Sequence, residues 1–248
     1  MKFTLRHYYD FKGSRSLGGS SLQSAQAWDE LRSDQGLEQS AAFYMPDSRD
    51  EWVQRARQAA EIDAQARSLA SLITGEGFSS IVSGGVGRAF LEYHLKQLLP
   101  ELTLTCTEYS PQVVARLRRV FTECDRIECH DFTSAGWPPP SDRTLYLLNR
   151  VDAELANEQW PRVFANLAAE DVRHVLVVAS AFLTPRVLAS ELKLHVLSRV
   201  LGRQLTFAGY VRTKAAFTDL WRPHYRIVGE VLVGDLTGFL LTLSNQPR

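Results

Sequence analysis

One stretch constrains this chain more than any other: Phe78-Ser-Ser-Ile-Val-Ser-Gly-Gly-Val-Gly87, followed some twenty residues later by Leu102-Thr-Leu-Thr-Cys-Thr-Glu108. It reads as an apolar strand, a glycine turn, a helix, and a second strand that ends in an acid. Three glycines within four residues let a ligand approach bare backbone. A carboxylate at the next strand end can accept hydrogen bonds from a ribose diol. The order therefore suits a ligand that carries a nucleoside. Without a ligand, the same glycines are a tight turn, and Glu108 favours the N-terminus of the helix that follows it.

The alternation continues downstream. Leu91, Leu95 and Leu98 share one face of a helix over 88–99, stopped by Pro100. Ser110-Pro111 opens another helix, with serine as N-cap and proline in the first turn. Further strands read at 127–129, 144–149 and 175–179. Upstream, Ser48-Arg-Asp-Glu51 matches a capping box and starts one long helix, whose apolar residues recur from Val53 to Ile73 before Gly75 and Gly77 end it. Strands alternating with helices predict a parallel sheet with right-handed crossovers. Gly136-Trp-Pro-Pro-Pro140 leaves no room for a helix between the third and fourth strands. Helices at 185–201 and 214–221 precede two last strands at 225–233 and 238–244. Leu188, Leu192, Val196 and Val200 mark a packing face on the first of these helices. Gly234-Asp-Leu-Thr237 is too short for a parallel crossover, so the last two strands are antiparallel if they pair.

Residues 1–47 differ from the rest. Aromatic residues (Phe3, Tyr8, Tyr9, Phe11) lead into Lys-Gly-Ser-Arg-Ser-Leu-Gly-Gly-Ser-Ser at 12–21. The segment reads either as an extension without fixed structure or as a flap hinged to close over a ligand, with a helical stretch near 24–32. Residues 48–248 read as one α/β domain. Lys and Arg number 28, as do Asp and Glu, so no basic excess favours a nucleic-acid partner. There is no apolar run of membrane-spanning length and no secretory h-region at Met1. The three cysteines, Cys106, Cys124 and Cys129, lack metal-ligand spacing. A reduced, cytoplasmic protein without metal is the expectation.

A dinucleotide turn asks for a third glycine where this chain has Phe90, and no Gly-Lys-Ser/Thr follows to make a phosphate loop. The remaining ligand is a nucleoside without phosphates. Here the chain resembles the class I S-adenosylmethionine-dependent methyltransferases, from about Ser48 to Arg248. The resemblance rests on Ser83-Gly84-Gly85-Val86-Gly87, on Glu108, on Asp131-Phe132 after the third strand, and on the terminal strand pair. Tyr210–Trp221 is also similar to the arginine-threonine-led helix of small-molecule members. The fold this implies is a seven-stranded, mostly parallel sheet in the order 3-2-1-4-5-7-6, the last strand antiparallel, with helices on both faces and an N-terminal helical extension. The implied cofactor is S-adenosyl-L-methionine. Ser83, Gly84, Gly85 and Gly87 would form the turn beneath it. Glu108 would take the ribose hydroxyls, Tyr109 and Phe132 would pack by the adenine, Asp131 would accept from its amino group, and Asn149 would face the methionine end. Ile81 stands where the family often has an acid, and Ser83 where its first glycine is expected.

Methyl transfer from a sulfonium is an in-line displacement, so a base is needed only if the acceptor must lose a proton. Asp152 and Glu154 after the fourth strand, His130 and His224 are the candidate bases, with Asp152 ranked first. Arg212 and Lys214 are candidates to meet an anionic group on the acceptor. A small-molecule oxygen or nitrogen is the expected target, weakly favouring a sugar or secondary metabolite. No Asn/Asp-Pro-Pro-Tyr follows the fourth strand, which disfavours base-amino and glutamine methylation. Two alternatives stay open: a non-catalytic member serving as a binding or partner subunit, and a nucleotide-dependent oxidoreductase, against which Phe90 stands.

Overall fold

In the computed structural model, residues 2–10, 21–22, 24–33 and 43–244 are described. Strand β1 (Thr4–Tyr9) and helices α1 (Ala25–Ser33), α2 (Arg49–Gln58) and α3 (Ala60–Glu76) come first. The alternating part follows: β2 (Ser80–Gly84), α4 (Phe90–Leu98), β3 (Thr103–Glu108), α5 (Pro111–Val120), β4 (Arg126–Cys129), β5 (Thr144–Asn149), α6 (Trp160–Ala169) and β6 (His174–Val178). Then come α7 (Pro185–Val200), β7 (Thr206–Arg212), α8 (Lys214–Thr218), β8 (Tyr225–Val233) and β9 (Leu236–Leu243).

Seven strands form one sheet in the order β4-β3-β2-β5-β6-β9-β8. All its pairings are parallel except those of β9, which runs antiparallel to both β6 and β8. This is the order the sequence led us to expect. The strands are apolar on both faces because helices cover both. Ile81, Leu147 and Leu176 face a core shared with Trp52 and Leu69. Their neighbours Val82, Tyr146, Leu148 and Val177 face the opposite core, with Trp160 and Phe164. The Pro-rich segment between β4 and β5 is irregular, as expected. It buries Trp137, and its Pro138 carbonyl accepts from the Tyr146 hydroxyl.

Several features depart from the sequence reading. The long helix expected from Ser48 is broken at Ala59, whose backbone sits at φ −83°, ψ 72°. The Ala56 carbonyl at this break meets the Ala59 N–H at 3.1 Å and His94 Nε2 at 2.9 Å. The capping box is half formed: Ser48 accepts from the Glu51 N–H, while the Glu51 carboxylate pairs with Arg55.

The described part of residues 1–47 is docked onto the domain. β1 pairs antiparallel with β7 in a second, two-stranded sheet, from Thr4 opposite Arg212 to Tyr9 opposite Thr206. Leu22, Ala27 and Leu31 form a small core with Ala208 of β7. The glycine-serine hinge lies almost wholly outside the described residues. Arg212 ends β7, so the helix expected over 214–221 is only the short α8, capped by the Thr213 hydroxyl, which accepts from Ala216 N–H.

α7 is turned the other way round. The four residues of its expected packing face are exposed: Leu188 51%, Leu192 65%, Val196 54% and Val200 75%. Glu191 and Ser198 are buried in their place. An apolar stripe shows that a helix has two faces, but not which one meets the domain.

Candidate functional site

The glycine turn follows β2. Gly85, Gly87 and Ala89 lie at φ 66°, 56° and 54°, so the chain coils tightly between strand and helix. The Gly85 and Val86 N–H groups both donate to the Thr107 carbonyl, at 2.8 and 3.2 Å. A Cβ on Gly85 would lie 2.6 Å from the Phe132 ring and 2.8 Å from the Val151 side chain. Bare backbone here thus admits the protein's own side chains as well as leaving space. Phe132 in turn stacks on Trp137, their planes 13° apart.

Glu108 ends β3, next to this turn, and is 4% exposed. Its Oε2 accepts from Gly87 N–H at 2.9 Å. Its Oε1 accepts from the N–H groups of Tyr109 and Ser110, at 3.1 and 3.3 Å, and from Arg32 Nη1 at 3.4 Å. Arg32 comes from α1, and its guanidinium lies over the Trp28 ring at 5.1 Å. Trp28 Nε1–H donates to Glu154 Oε2 at 3.2 Å, and Ser110 Oγ–H donates to Asp29. One helix of the N-terminal extension is therefore tied to the acid, the loop after β5 and the cap of α5.

Two adjoining cavities open around Gly85. The smaller, about 230 Å³, is lined by Gly85, Glu108, Tyr109, Asp131 and Phe132, with Trp28 and Arg32 as its outer wall. Asp131 Oδ1 accepts from the Thr133 N–H and hydroxyl, both at 2.8 Å, which leaves the second oxygen for a guest. The larger, about 1000 Å³, runs from Gly84–Gly87 past Asn149 and Asp152 to His7 and Tyr9 of β1, Glu191 of α7 and Tyr210 of β7. Asn149 Oδ1 is buried and has no hydrogen-bond partner. Both α7 and the N-terminal extension help to wall this cavity.

Several expected site residues stand elsewhere. Ser83 is buried and lines neither cavity; its hydroxyl donates to Glu92 Oε1 at 2.6 Å. It shares strand parity with Ile81, so it faces α4. His130 packs edge-on against Trp137, at 4.6 Å between ring centres, and lines neither cavity. Burial lowers its pKa, and its Nε2 has no partner. Asp152 does line the larger cavity, but its Oδ1 already accepts from the Ser180 N–H and hydroxyl, at 2.8 and 2.5 Å. Arg212 is 2% exposed and grips the loop after β5: Nε donates to Asn157 Oδ1 at 2.7 Å, and its two Nη groups donate to the carbonyls of Asp152 and Leu155. Lys214 pairs on the surface with Glu230 at 2.6 Å. Neither cation lines a cavity, because one is a structural clamp and the other is turned to solvent.

The sequence reading missed a dyad. His7 Nδ1–H donates to Glu191 Oε1 at 2.6 Å, across 184 residues of sequence, and both residues line the larger cavity. Glu191 Oε2 is buried without a partner. With Nδ1 carrying the proton, Nε2 presents a lone pair. Glu154 lines both cavities, and burial pushes its pKa up to about 8. Only the aromatic run at 3–11 hinted that this segment belongs to the site.

No family model and no curated protein matches the chain. Solved structures do. The mitomycin 7-O-methyltransferase superposes over 75% of this chain and 53% of its own, with a TM-score of 0.57 and 22% identity. Human N-acetylserotonin methyltransferase, solved with S-adenosylmethionine, covers 80% and 57%, with a TM-score of 0.53 and 19% identity. Magnesium protoporphyrin IX methyltransferase from Synechocystis, solved with S-adenosylhomocysteine, covers 75% and 84%, at 0.54 and 14%. The chain thus spans little more than half the length of the first two. The strand order, the glycine turn against an acid-ended neighbour and these superpositions converge: this chain has the class I S-adenosylmethionine-dependent methyltransferase fold.

Proposed function

We propose that the chain binds S-adenosylmethionine and methylates an oxygen or nitrogen of a small molecule. The observation that carries this reading is the Glu108 carboxylate fixed to the glycine turn at the floor of the smaller cavity. The residues present fit the cofactor. Glu108 suits the ribose hydroxyls, and the open Asp131 oxygen suits an adenine amino group. Tyr109 offers a ring to the adenine. The unpaired Asn149 Oδ1 suits a donor such as the methionine ammonium. When bound, the cofactor supplies a methyl group activated by a sulfonium. The small-molecule methyltransferases among the solved structures support a small acceptor.

The chain's own groups then position, shield and take up a proton. The walls contributed by β1, α1 and α7 narrow the larger cavity around the place where an acceptor would sit. Glu191 holds the His7 ring and its tautomer through Nδ1, and His7 Nε2 takes the proton of an acceptor hydroxyl or amine. Asp152 and Arg212 fix the loop after β5 that forms the cavity floor.

Calorimetric titration of the full chain with S-adenosylhomocysteine tests the cofactor. Saturable binding is expected, with one molecule per chain. No heat at millimolar ligand would defeat the reading. It would then favour a non-catalytic protein of this fold, an alternative to which the four donors already on Glu108, Arg32 among them, give some weight.

A further inference from the structure

The larger cavity contains two guanidinium groups without an ion-pair partner among the described residues. Arg88 follows the glycine turn, and Arg150 follows Asn149; both line this cavity, beside Arg32. Arg32 is paired with Glu108. Among the described residues, neither Arg88 nor Arg150 has a carboxylate within ion-pair distance. Arg88 is half-buried, lying over the Phe90 ring at 4.4 Å. Burial, and the charges of Arg55, Arg32 and Arg150, lower its pKa to about 10.

The acids around the cavity make their contacts elsewhere. Glu108 is held by four donors, Asp152 by Ser180, Glu191 by His7 and Glu92 by Ser83. Burial raises the Glu154 pKa to about 8, and its carboxyl accepts from Trp28. Glu61, exposed at the rim, makes no ion pair among the described residues.

The backbone adds an independent observation. Arg150 sits at φ 58°, a left-handed conformation that glycine or asparagine adopts more readily, with its N–H donating to the Val178 carbonyl at 2.9 Å. A long cation at such a position is strained, and strain of this kind collects at functional sites.

We propose that Arg88 and Arg150 dock a carboxylate or phosphate oxyanion carried by the methyl acceptor, so that the acceptor is an anionic small molecule. Calling the guest an acceptor rests on the methyl-transfer reading; the oxyanion site does not. Paired guanidiniums suit such a group because they present several N–H donors in a planar fork.

The test is calorimetry on the full chain saturated with S-adenosylhomocysteine, titrated separately with inorganic phosphate and with benzoate. At least one anion should bind. Arg150→Gln, at an exposed and unpaired position that also borders the smaller cavity, should weaken that binding by about tenfold. Arg88→Gln should act in the same direction. Absence of binding by both anions, or equal binding by wild type and variants, overturns the site. Mutual exclusion of anion and S-adenosylhomocysteine overturns the assignment to the acceptor and gives the arginines to the cofactor's own carboxylate. If wild type binds no S-adenosylhomocysteine, the methyl-transfer reading fails, and the same titrations on the ligand-free chain still decide the arginine site.

Discussion

Glu154 offers a sharp test at the level of one residue. Its ordinary pKa is 4.5, and burial lifts it to about 8 in the folded chain. The fold therefore holds this proton more tightly than the unfolded chain does. Its contribution to stability is complete below about pH 4.5 and is lost as pH rises through about 8. Glu154→Gln removes this dependence and keeps an acceptor for Trp28. Relative to wild type, the variant should gain about 4 kcal/mol between about pH 5 and about pH 9, read from denaturant unfolding at both. Glu108→Ala works differently: it leaves Arg32 buried without its partner and the Gly87 N–H without its acceptor. A loss of about 3 kcal/mol is expected in urea unfolding, together with loss of S-adenosylhomocysteine binding in the calorimeter. Glu108, Asp131 and the glycines were singled out by their order and by the family resemblance, and each sits where a strand meets its loop. His7 and Glu191 could not, since no local pattern links two residues so far apart. Ser83 was misassigned although its parity with Ile81 pointed it at α4.

Among elements, β7 is held to the loop after β5 by a glycine. Gly209 has φ 125°, and a Cβ there would fall 2.2 Å from the Ala153 carbonyl oxygen. The neighbouring Tyr210 N–H donates to that same oxygen at 3.0 Å. Gly209→Ala should push the β1–β7 sheet off this loop and destabilise the chain by about 3 kcal/mol in urea unfolding. α7 gives the opposite expectation. Leu192→Ser should change stability by less than about 0.5 kcal/mol, whereas Leu176→Ala, in the core, should lose about 3 kcal/mol. Periodicity located α7 to within a residue but could not orient it. The central strands were legible because both faces are apolar and turn residues bound them. β7 escaped notice because Gly209 interrupts its pattern and its partner lies at the other end of the described chain.

In the whole molecule, the seven-stranded sheet lies between two extensive cores, while the N-terminal cap rests on four buried residues, Leu22, Ala27, Leu31 and Ala208. Local opening should follow that difference. Hydrogen exchange is expected to be slowest in β2, β5 and β6 and clearly faster in α1 and β1; equal protection would contradict the view of the cap as a lightly held layer. The fold class was legible at this scale because alternating strands and helices leave few connections, and the strand order followed from the family resemblance. The cap was not legible, because it closes through a pairing of β1 with β7, Thr4 opposite Arg212.

That pairing has a consequence for biosynthesis. Vectorial synthesis delivers β1 before every other strand described here and β7 near the end, so the nascent segment must wait for its mate through most of translation. A chain released before β7 emerges carries β2, β3 and their glycine bend. It has no wall behind His7, because that wall is made of residues the ribosome has not yet added.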